Sequence, residues 1–377
     1  MRVLLAPNAF KESLTAIEFC DILSAAFREH DPRVEVDAVP LADGGDGTLA
    51  VVTRLWGGSI HPLPTEDPLR RRIIAPVGLD PHGQRAVIEM ATTSGLALLA
   101  PEERNPLLTT TYGLGLLVDQ VIRMGVEDIL LCIGGSATND AGVGMAEALG
   151  FRHLDCEGNP VLPTGGRLRR IDRILAPIPS RVPETLRVTV LSDVINPLHG
   201  PCGAAVVFAP QKGADSEQVL VLDRGLRHIA AIWERDLGKA VAEVPGAGAA
   251  GGMGAGAMVY LNAHLVPGAR WMFEAVSFEE RIAEADLVIT GEGKLDRTTL
   301  DGKLPGQVAA LAKKHGKRCI GVCGIRDSDS TLALQDAGFE TIIPLAEPGI
   351  SKEESIRRAG ELLRERGRGI AATLIWP

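Results

Sequence analysis

Short apolar runs that alternate with amphipathic helical patterns constrain this chain more than any other feature, because that rhythm builds α/β proteins with a largely parallel sheet. The first unit is plain. "RVLLA" (Arg2–Ala6) predicts a strand, and Thr15 with Glu18 forms a capping box for a helix whose apolar positions include Ile17, Ile22, Leu23 and Phe27. "VEVDAV" (Val34–Val39) is the next strand and runs into a polar, glycine-rich loop. The last third repeats the pattern through "DLVIT", "GQVAALAKKH", "KRCIGVC", "TLALQDAG", "ETIIPL" and the charged amphipathic "KEESIRRAGELLRERG". From about Asp67 to Glu284 the texture changes to strands such as "RAVIEMA" and "LRVTVLSDV", separated by long loops containing Pro and Gly. A chain of 377 residues is large enough for two cores. The expectation is an α/β protein in which a Rossmann-like parallel-sheet domain, built from both chain ends (1–66 and 285–377), hosts an inserted second α/β domain (67–284). The cleft between them is the expected site.

Charge excludes one class of partner. With 48 acidic against 39 basic residues the net charge is −9, and the basic cluster "RRIDR" (Arg169–Arg173) is too short to make a nucleic-acid surface. The six cysteines show no paired C-x-x-C spacing, so they are expected to be reduced and buried. The start "MRVLLAPNAFKESL" is too short in apolar length for a signal-peptide core, and no run reaches the roughly 18 apolar residues of a membrane span. A cytoplasmic protein with small-molecule substrates and no membrane partner is expected; oligomeric state is not readable, a homodimer being one option.

Five polar or glycine-rich loops lie at the ends of apolar runs, where α/β folds bind ligands. In "CIGGSATNDAGVGMAEALG" (132–150), Gly134 and Gly135 leave the backbone unhindered. Ser136, Thr138 and Asn139 offer polar groups, and a helix predicted from about Asp140 offers unpaired N–H groups to an anion. A strand-to-helix turn capped by Thr138 or Asn139 would explain the same residues. "PLADGGDGT" carries Asp43 and Asp46, hard oxygen donors suited to Mg²⁺ beside phosphates, or else a tight Asp-Gly turn. "APNAFKES" places Lys11 after the first strand, where it could pair with an anionic group. Asp193, at a strand end in "VLSDVINPLHGPCGAAVVFAPQKG", could accept a proton from a substrate hydroxyl or brace the Asn196–Pro197 turn; Lys212 follows in the same stretch. "VITGEGKLDRTTLDGKLPG" is the densest polar loop, with Gly291, Glu292, Gly293, Lys294, Asp296 and Lys303.

Several motifs are absent or weak. Gly246, Gly248 and Gly251 spell G-x-G-x-x-G, but the run before them ends in Pro245, so the segment Gly246–Gly256 reads as a hinge or a close-packing surface. No P-loop, zinc-hydrolase or G-x-S-x-G pattern occurs.

With these loops in view, the sequence resembles the type 1 glycerate kinases nearly end to end. The resemblance is carried by "APNAFKESL", "PLADGGDGT", "CIGGSATND", "NPLHGPCGAA" with "APQKGA", "PGAGAAGGMG" and "TGEGKLD" with "DGK". It implies ATP- and Mg²⁺-dependent phosphorylation of D-glycerate, usually to 2-phosphoglycerate, and a flavodoxin-like domain with an inserted α/β domain. The 3-phosphate, or a related small hydroxy acid as substrate, is the alternative. The chain departs from the family pattern at Asn8 and Ala9 (commonly Asp-Ser), at Ile195 (often Asp), and at Thr298 and Asp301 (usually Gln and His). Within such a reaction Asp193 is expected to orient or deprotonate the attacking hydroxyl, and Lys11 to neutralise charge. Asp296 completes the catalytic candidates, and Asp43 and Asp46 are those for Mg²⁺. Gly134, Gly135, Ser136, Thr138, Asn139, Gly291, Glu292, Gly293 and Lys303 are expected to bind phosphate or substrate. The 134–139 loop could hold either the ATP phosphates or the glycerate carboxylate.

Overall fold

The structure, a computed structural model, describes residues 1–346 and 349–375; positions 347–348 and 376–377 of the expected end-built domain lie outside the described residues. Thirteen strands occur among them: β1 (Arg2–Leu5), β2 (Glu35–Ala38), β3 (Ser59–Glu66), β4 (Arg72–Leu79), β5 (Arg85–Glu89), β6 (Asp128–Cys132), β7 (Arg152–Leu154), β8 (Arg173–Leu175), β9 (Arg187–Leu191), β10 (His264–Val266), β11 (Leu287–Leu295), β12 (Arg318–Arg326) and β13 (Thr341–Pro344). The chain divides into two compact units, Met1–Asp43 with Ala269–Pro377, and Gly44–Gly268. These limits differ from the 66/67 and 284/285 read from the sequence. Helix Thr48–Leu55 packs on β4 and β5, β3 is hydrogen-bonded to β4, and helix Phe278–Glu284 packs near β1.

The unit made by both chain ends is a wholly parallel sheet in the order β13-β12-β11-β1-β2. Counted along that unit this is 2-1-3-4-5, the flavodoxin-like order, whose switch point falls between β1 and β11. Val3, Leu5, Leu287, Ile289, Ile320 and Val322 of the sheet form one core with Phe19, Leu23 and Phe27 of helix Ala16–His30 and Leu362 and Leu363 of helix Ala359–Ile370. The capping box forms as read: Thr15 Oγ1 accepts the Glu18 N–H at 3.1 Å, and Glu18 Oε2 accepts the Thr15 N–H at 2.9 Å. The charged C-terminal pattern is two helices rather than one, Lys352–Arg357 and Ala359–Ile370, with Arg358 out of helical geometry at φ −97° and ψ 7°.

The other unit holds a six-stranded sheet, β10-β9-β6-β5-β4-β3, and the small antiparallel pair β7–β8. Strands β10, β9, β6 and β5 are parallel, and β4 and β3 continue antiparallel. Ile88, Ile129, Leu131, Val188 and Val190 share their core with Leu117 and Val121 of helix Tyr112–Arg123 and Leu222 and Leu226 of helix Ser216–Leu237. The parallel strands end level, with Glu89 opposite Cys132, Cys132 opposite Leu191, and Leu191 opposite Val266. The loops that follow them therefore leave from one edge, the ligand side of an α/β sheet.

Candidate functional site

At that edge of the Gly44–Gly268 unit two glycine-rich loops lie against each other. The Gly134 N–H reaches the Gly44 carbonyl at 3.3 Å, and Asp46 Oδ1 is 3.3 Å from the point a Cβ on Gly135 would occupy. Gly135 and Asp46 are exposed. Glu89, at the end of β5, accepts the N–H of Leu49 at 2.7 Å and so holds the first turn of helix Thr48–Leu55. Burial pushes its carboxyl up, the helix N–H groups oppose that, and nearby Asp46 adds to it.

The helix expected from about Asp140 starts later, at Val143, and its N–H groups are not open to an anion. Asp140, fully buried, takes that place. Its carboxylate accepts from Gly142 N (3.3 Å), Gly144 N (3.2 Å), Thr111 N (2.8 Å) and Thr111 Oγ1 (2.8 Å), while Thr111 Oγ1 accepts from Met145 N at 2.9 Å. Burial nevertheless pushes the Asp140 carboxyl upward. The helix-terminus part of the anion reading is thus replaced by an internal cap, and what remains for a ligand is the loop before it.

In that loop Ser136 Oγ and the Thr138 carbonyl each accept from Lys212 Nζ at 2.7 Å. Lys212 is 2% exposed, and burial lowers its pKa to about 7, with Asp140 resisting the shift. Thr138 Oγ1 and both polar atoms of the Asn139 side chain are buried without a hydrogen-bond partner, an uncommon condition that calls for a ligand or solvent role.

The glycine-rich segment 246–256 packs on this loop and is not free to hinge. Ala141 N donates to Gly251 O at 3.1 Å, and a Cβ on Gly251, at φ +70°, would stand 2.1 Å from Thr138 O. The helix drawn as Ala249–Tyr260 is interrupted by three left-handed residues, Ala250, Gly251 and Gly252, and Ala141 facing them is also left-handed at φ 54°. Gly248 N binds Asn196 O at 2.9 Å, which ties the same segment to the loop after β9. Asp193 is exposed in that loop, and its Oδ1 accepts the Gly268 N–H at 2.9 Å; Ile195 is 79% exposed.

In the end-built unit the loops after β1, β2 and β11 meet at the switch point. Phe10, buried and stacked on Phe19 at 5.4 Å, pins the first loop and leaves Lys11 exposed. Asn8 N donates to Gly291 O (2.9 Å), and Asn8 Nδ2 to Asp43 Oδ2 (3.2 Å). Gly291, Glu292, Gly293 and Lys294 were expected in a loop but belong to β11, because pairing with β12 continues to Leu295 opposite Arg326. Gly291 is required there: a Cβ would stand 2.1 Å from Val322 O. Burial raises the Glu292 carboxyl, Lys303 (3.9 Å) and Thr299 Oγ1 (3.1 Å) oppose this, and Asp43 reinforces it. Asp296 caps the turn Arg297–Leu300, accepting from Thr298 N at 2.9 Å and Thr298 Oγ1 at 2.6 Å, and pairs with Lys294 at 2.9 Å. The Thr298 hydrogen bonds and Lys294 hold it down at about 2, so it is a fixed negative charge.

The structure therefore brings together Asn8, Asp43, Gly291, Glu292, Gly293, Asp296 and Lys303 in one unit, with Lys11 exposed on the adjoining loop. Asp46, Gly134, Gly135, Ser136, Thr138 and Asn139 come together in the other. Sequence reasoning missed Glu89, Asp140 and Lys212 as parts of the site. Glu89 closes an apolar run and Asp140 stands two residues before Gly142, but a lysine in "APQKGA" carries no mark of burial.

Comparison with known proteins gives a consistent result. The family model described as "Glycerate kinase family" matches residues 3–375. The glycerate kinase of Halalkalibacterium halodurans is 41% identical over 375 residues, covering 99% of this chain and 98% of that one. The glycerate 2-kinase of Escherichia coli K12 is 40% identical over 379 residues, with 99% and 98% covered. The crystal structure of a protein assigned as glycerate kinase 2 from Salmonella typhimurium LT2 matches with a TM-score of 0.85 at 38% identity, covering 100% of this chain and 98% of that one.

Proposed function

The chain belongs to the glycerate kinase family, and from that premise we propose that it transfers the γ-phosphoryl group of ATP to the 2-hydroxyl of D-glycerate. The products are 2-phosphoglycerate and ADP. The observation that carries this reading is that motifs of the resemblance, scattered along the sequence, meet in pairs at the ligand-side edge of each sheet. "DGGDG" lies against "GGS" at the carboxyl ends of the parallel strands of the six-stranded mixed sheet, and "APNAFK" lies beside "TGEGK" at the switch point of the five-stranded parallel sheet.

Glycerate and ATP are anions, so the site needs N–H and cationic groups, a proton acceptor and an electrostatic match to the transferring phosphoryl. Gly134, Gly135, Ser136, Thr138 and Asn139 serve as the anion-binding loop, supported by the unpartnered buried groups of Thr138 and Asn139. Asp193, whose Oδ1 accepts the Gly268 N–H, orients the substrate hydroxyl and takes its proton. Lys11 offsets charge on the substrate or phosphoryl group. Asp296 positions Lys294 and, with Glu292, Lys303.

Asp43 and Asp46 are the residues that would hold Mg²⁺. Both supply hard carboxylate oxygens, the donor type Mg²⁺ takes, with phosphate and water completing its shell. Bound there, Mg²⁺ would neutralise charge on the phosphates.

No helix among the described residues is long and apolar enough to cross a membrane, and of the cysteines expected to be buried, Cys156 and Cys202 are exposed. The proposed reaction, which consumes ATP, is assigned to the cytoplasm. The test is a coupled assay of ADP release with Mg²⁺-ATP and D-glycerate, followed by phosphorus NMR of the product. A 2-phosphate product is expected. A 3-phosphate would move the bound hydroxyl, and turnover only with another hydroxy acid would replace the substrate.

A further inference from the structure

Lys212 is the most deeply buried cation of the structure's ligand-side loops, and nothing in the reaction described above uses it. Its backbone is fixed by the Pro210–Lys212 turn and by Gly213, at φ +95°, whose Cβ position would fall 2.2 Å from Arg104 O. The side chain runs beneath the 134–140 loop and donates to Ser136 Oγ and Thr138 O, both at 2.7 Å. No carboxylate among the described residues forms an ion pair with it; Asp140, committed to Thr111 and the helix N–H groups, is the charged side chain that acts on it. An ammonium has three donors, and these two bonds use two of them. In the same loop, Thr138 Oγ1 and the Asn139 amide are buried without partners. An ammonium held away from water with no ion-pair partner costs free energy, which an anion bound beside it would offset.

We propose that Lys212 is a positioning residue for phosphoryl transfer: through Ser136 and the Thr138 carbonyl it holds the 134–140 loop in the shape that meets a substrate anion, and its buried charge complements that anion from below. This rests on the reading of the loop as an anion site. A neutral amine could keep both hydrogen bonds but not the charge. Because burial places the titration near neutrality, at about 7, anion affinity should fall as pH rises through that range.

The test is steady-state kinetics on the full chain with Mg²⁺-ATP and D-glycerate, from about pH 6 to 9, for wild type, Lys212→Met, Lys212→Arg, Ser136→Ala and Thr138→Val. Lys212→Met should raise the KM of one of the two anionic substrates roughly tenfold or more and abolish the neutral limb of its pH profile. Lys212→Arg should restore part of the affinity without that limb. If Lys212→Met does not fold, Ser136→Ala reads the same contact with the charge retained, and should raise the same KM severalfold. A folded Lys212→Met with both KM values and the pH profile of wild type overturns the proposal, as does an unaffected Ser136→Ala where the methionine variant is insoluble. If Thr138→Val alone shifts a KM, the loop still binds the anion and only the role of Lys212 falls. If no loop variant shifts either KM, the anion-site reading falls with it.

Discussion

Replacing Gly251 by Ala tests whether the shape of the 134–140 loop governs the reaction. The new Cβ would stand 2.1 Å from Thr138 O and 2.7 Å from Asn139 Cα. Carbon–oxygen contacts settle at about 3.3 Å or more, so the loop and the glycine turn must part by roughly 1 Å. Alanine at φ +70° costs about 1 kcal/mol by itself, and forced overpacking adds about 1–3 kcal/mol, for a destabilisation of about 2–4 kcal/mol. A displacement of about 1 Å at a group that meets substrate lowers turnover on the order of 10²-fold. Gly57→Ala is the control: φ is +67° and nothing lies within 4 Å of the new Cβ, so it carries the left-handed cost without the collision. Urea unfolding and kcat/KM measured side by side separate the two contributions. If Gly251→Ala keeps kcat/KM within about twofold of Gly57→Ala, loop shape does not govern the reaction.

Three further outcomes are expected. Asp193→Asn keeps the acceptor for Gly268 N, so the fold should persist while kcat falls on the order of 10²-fold; a normal kcat would remove Asp193 as proton acceptor. His153, 3% exposed with Nε2 2.9 Å from Tyr260 Oη, is pushed by burial from 6.5 to about 3, so the unfolded chain takes up the proton first. Stability from this group is intact above pH 6.5 and is lost as pH falls toward 3, at up to about 1.4 kcal/mol per pH unit; urea midpoints against pH for wild type and His153→Gln should diverge over that window. Thr15→Ala removes the cap of helix Ala16–His30 and should cost about 1 kcal/mol in urea unfolding, with kinetics unchanged.

Strands such as β1, β5, β9 and β12 were legible as short apolar runs and the first helix because Thr15 and Glu18 mark its start, whereas β3, with its exposed "SIHPLPTE", and the three-residue β7, β8 and β10 carry no such run. What escaped the sequence depends on long-range pairing. β11 runs on through Gly291–Leu295 because β12 supplies partners, whatever the polarity of Glu292 and Lys294. The helix after Ala141 begins late because Thr111, far away in sequence, shares Asp140 with the helix N–H groups. The burial of Lys212 escaped the sequence because only the folded chain brings its Nζ to Ser136 Oγ and Thr138 O. The packing of segment 246–256 was one of two options until the left-handed turn at Ala250–Gly252 was seen against Ala141. No composition shift marks the change of unit at Asp43, since it falls inside a continuous glycine-rich loop.

The place of β1 between β2 and β11 has a consequence for biosynthesis. Its partner on one side, β2, follows within forty residues, but its partner on the other, β11, is joined through pairs such as Val3 with Leu287, 284 residues later in the case of Ala6 and Thr290. While the ribosome is still making the Gly44–Gly268 unit, β1 can offer only an open, apolar edge. The inserted unit can mature on the emerging chain, whereas the sheet around β1 must wait for nearly the whole polypeptide. Chaperone demand and losses to aggregation should therefore concentrate on the first forty residues, and nascent chains that stop short of β11 should be the species that fail.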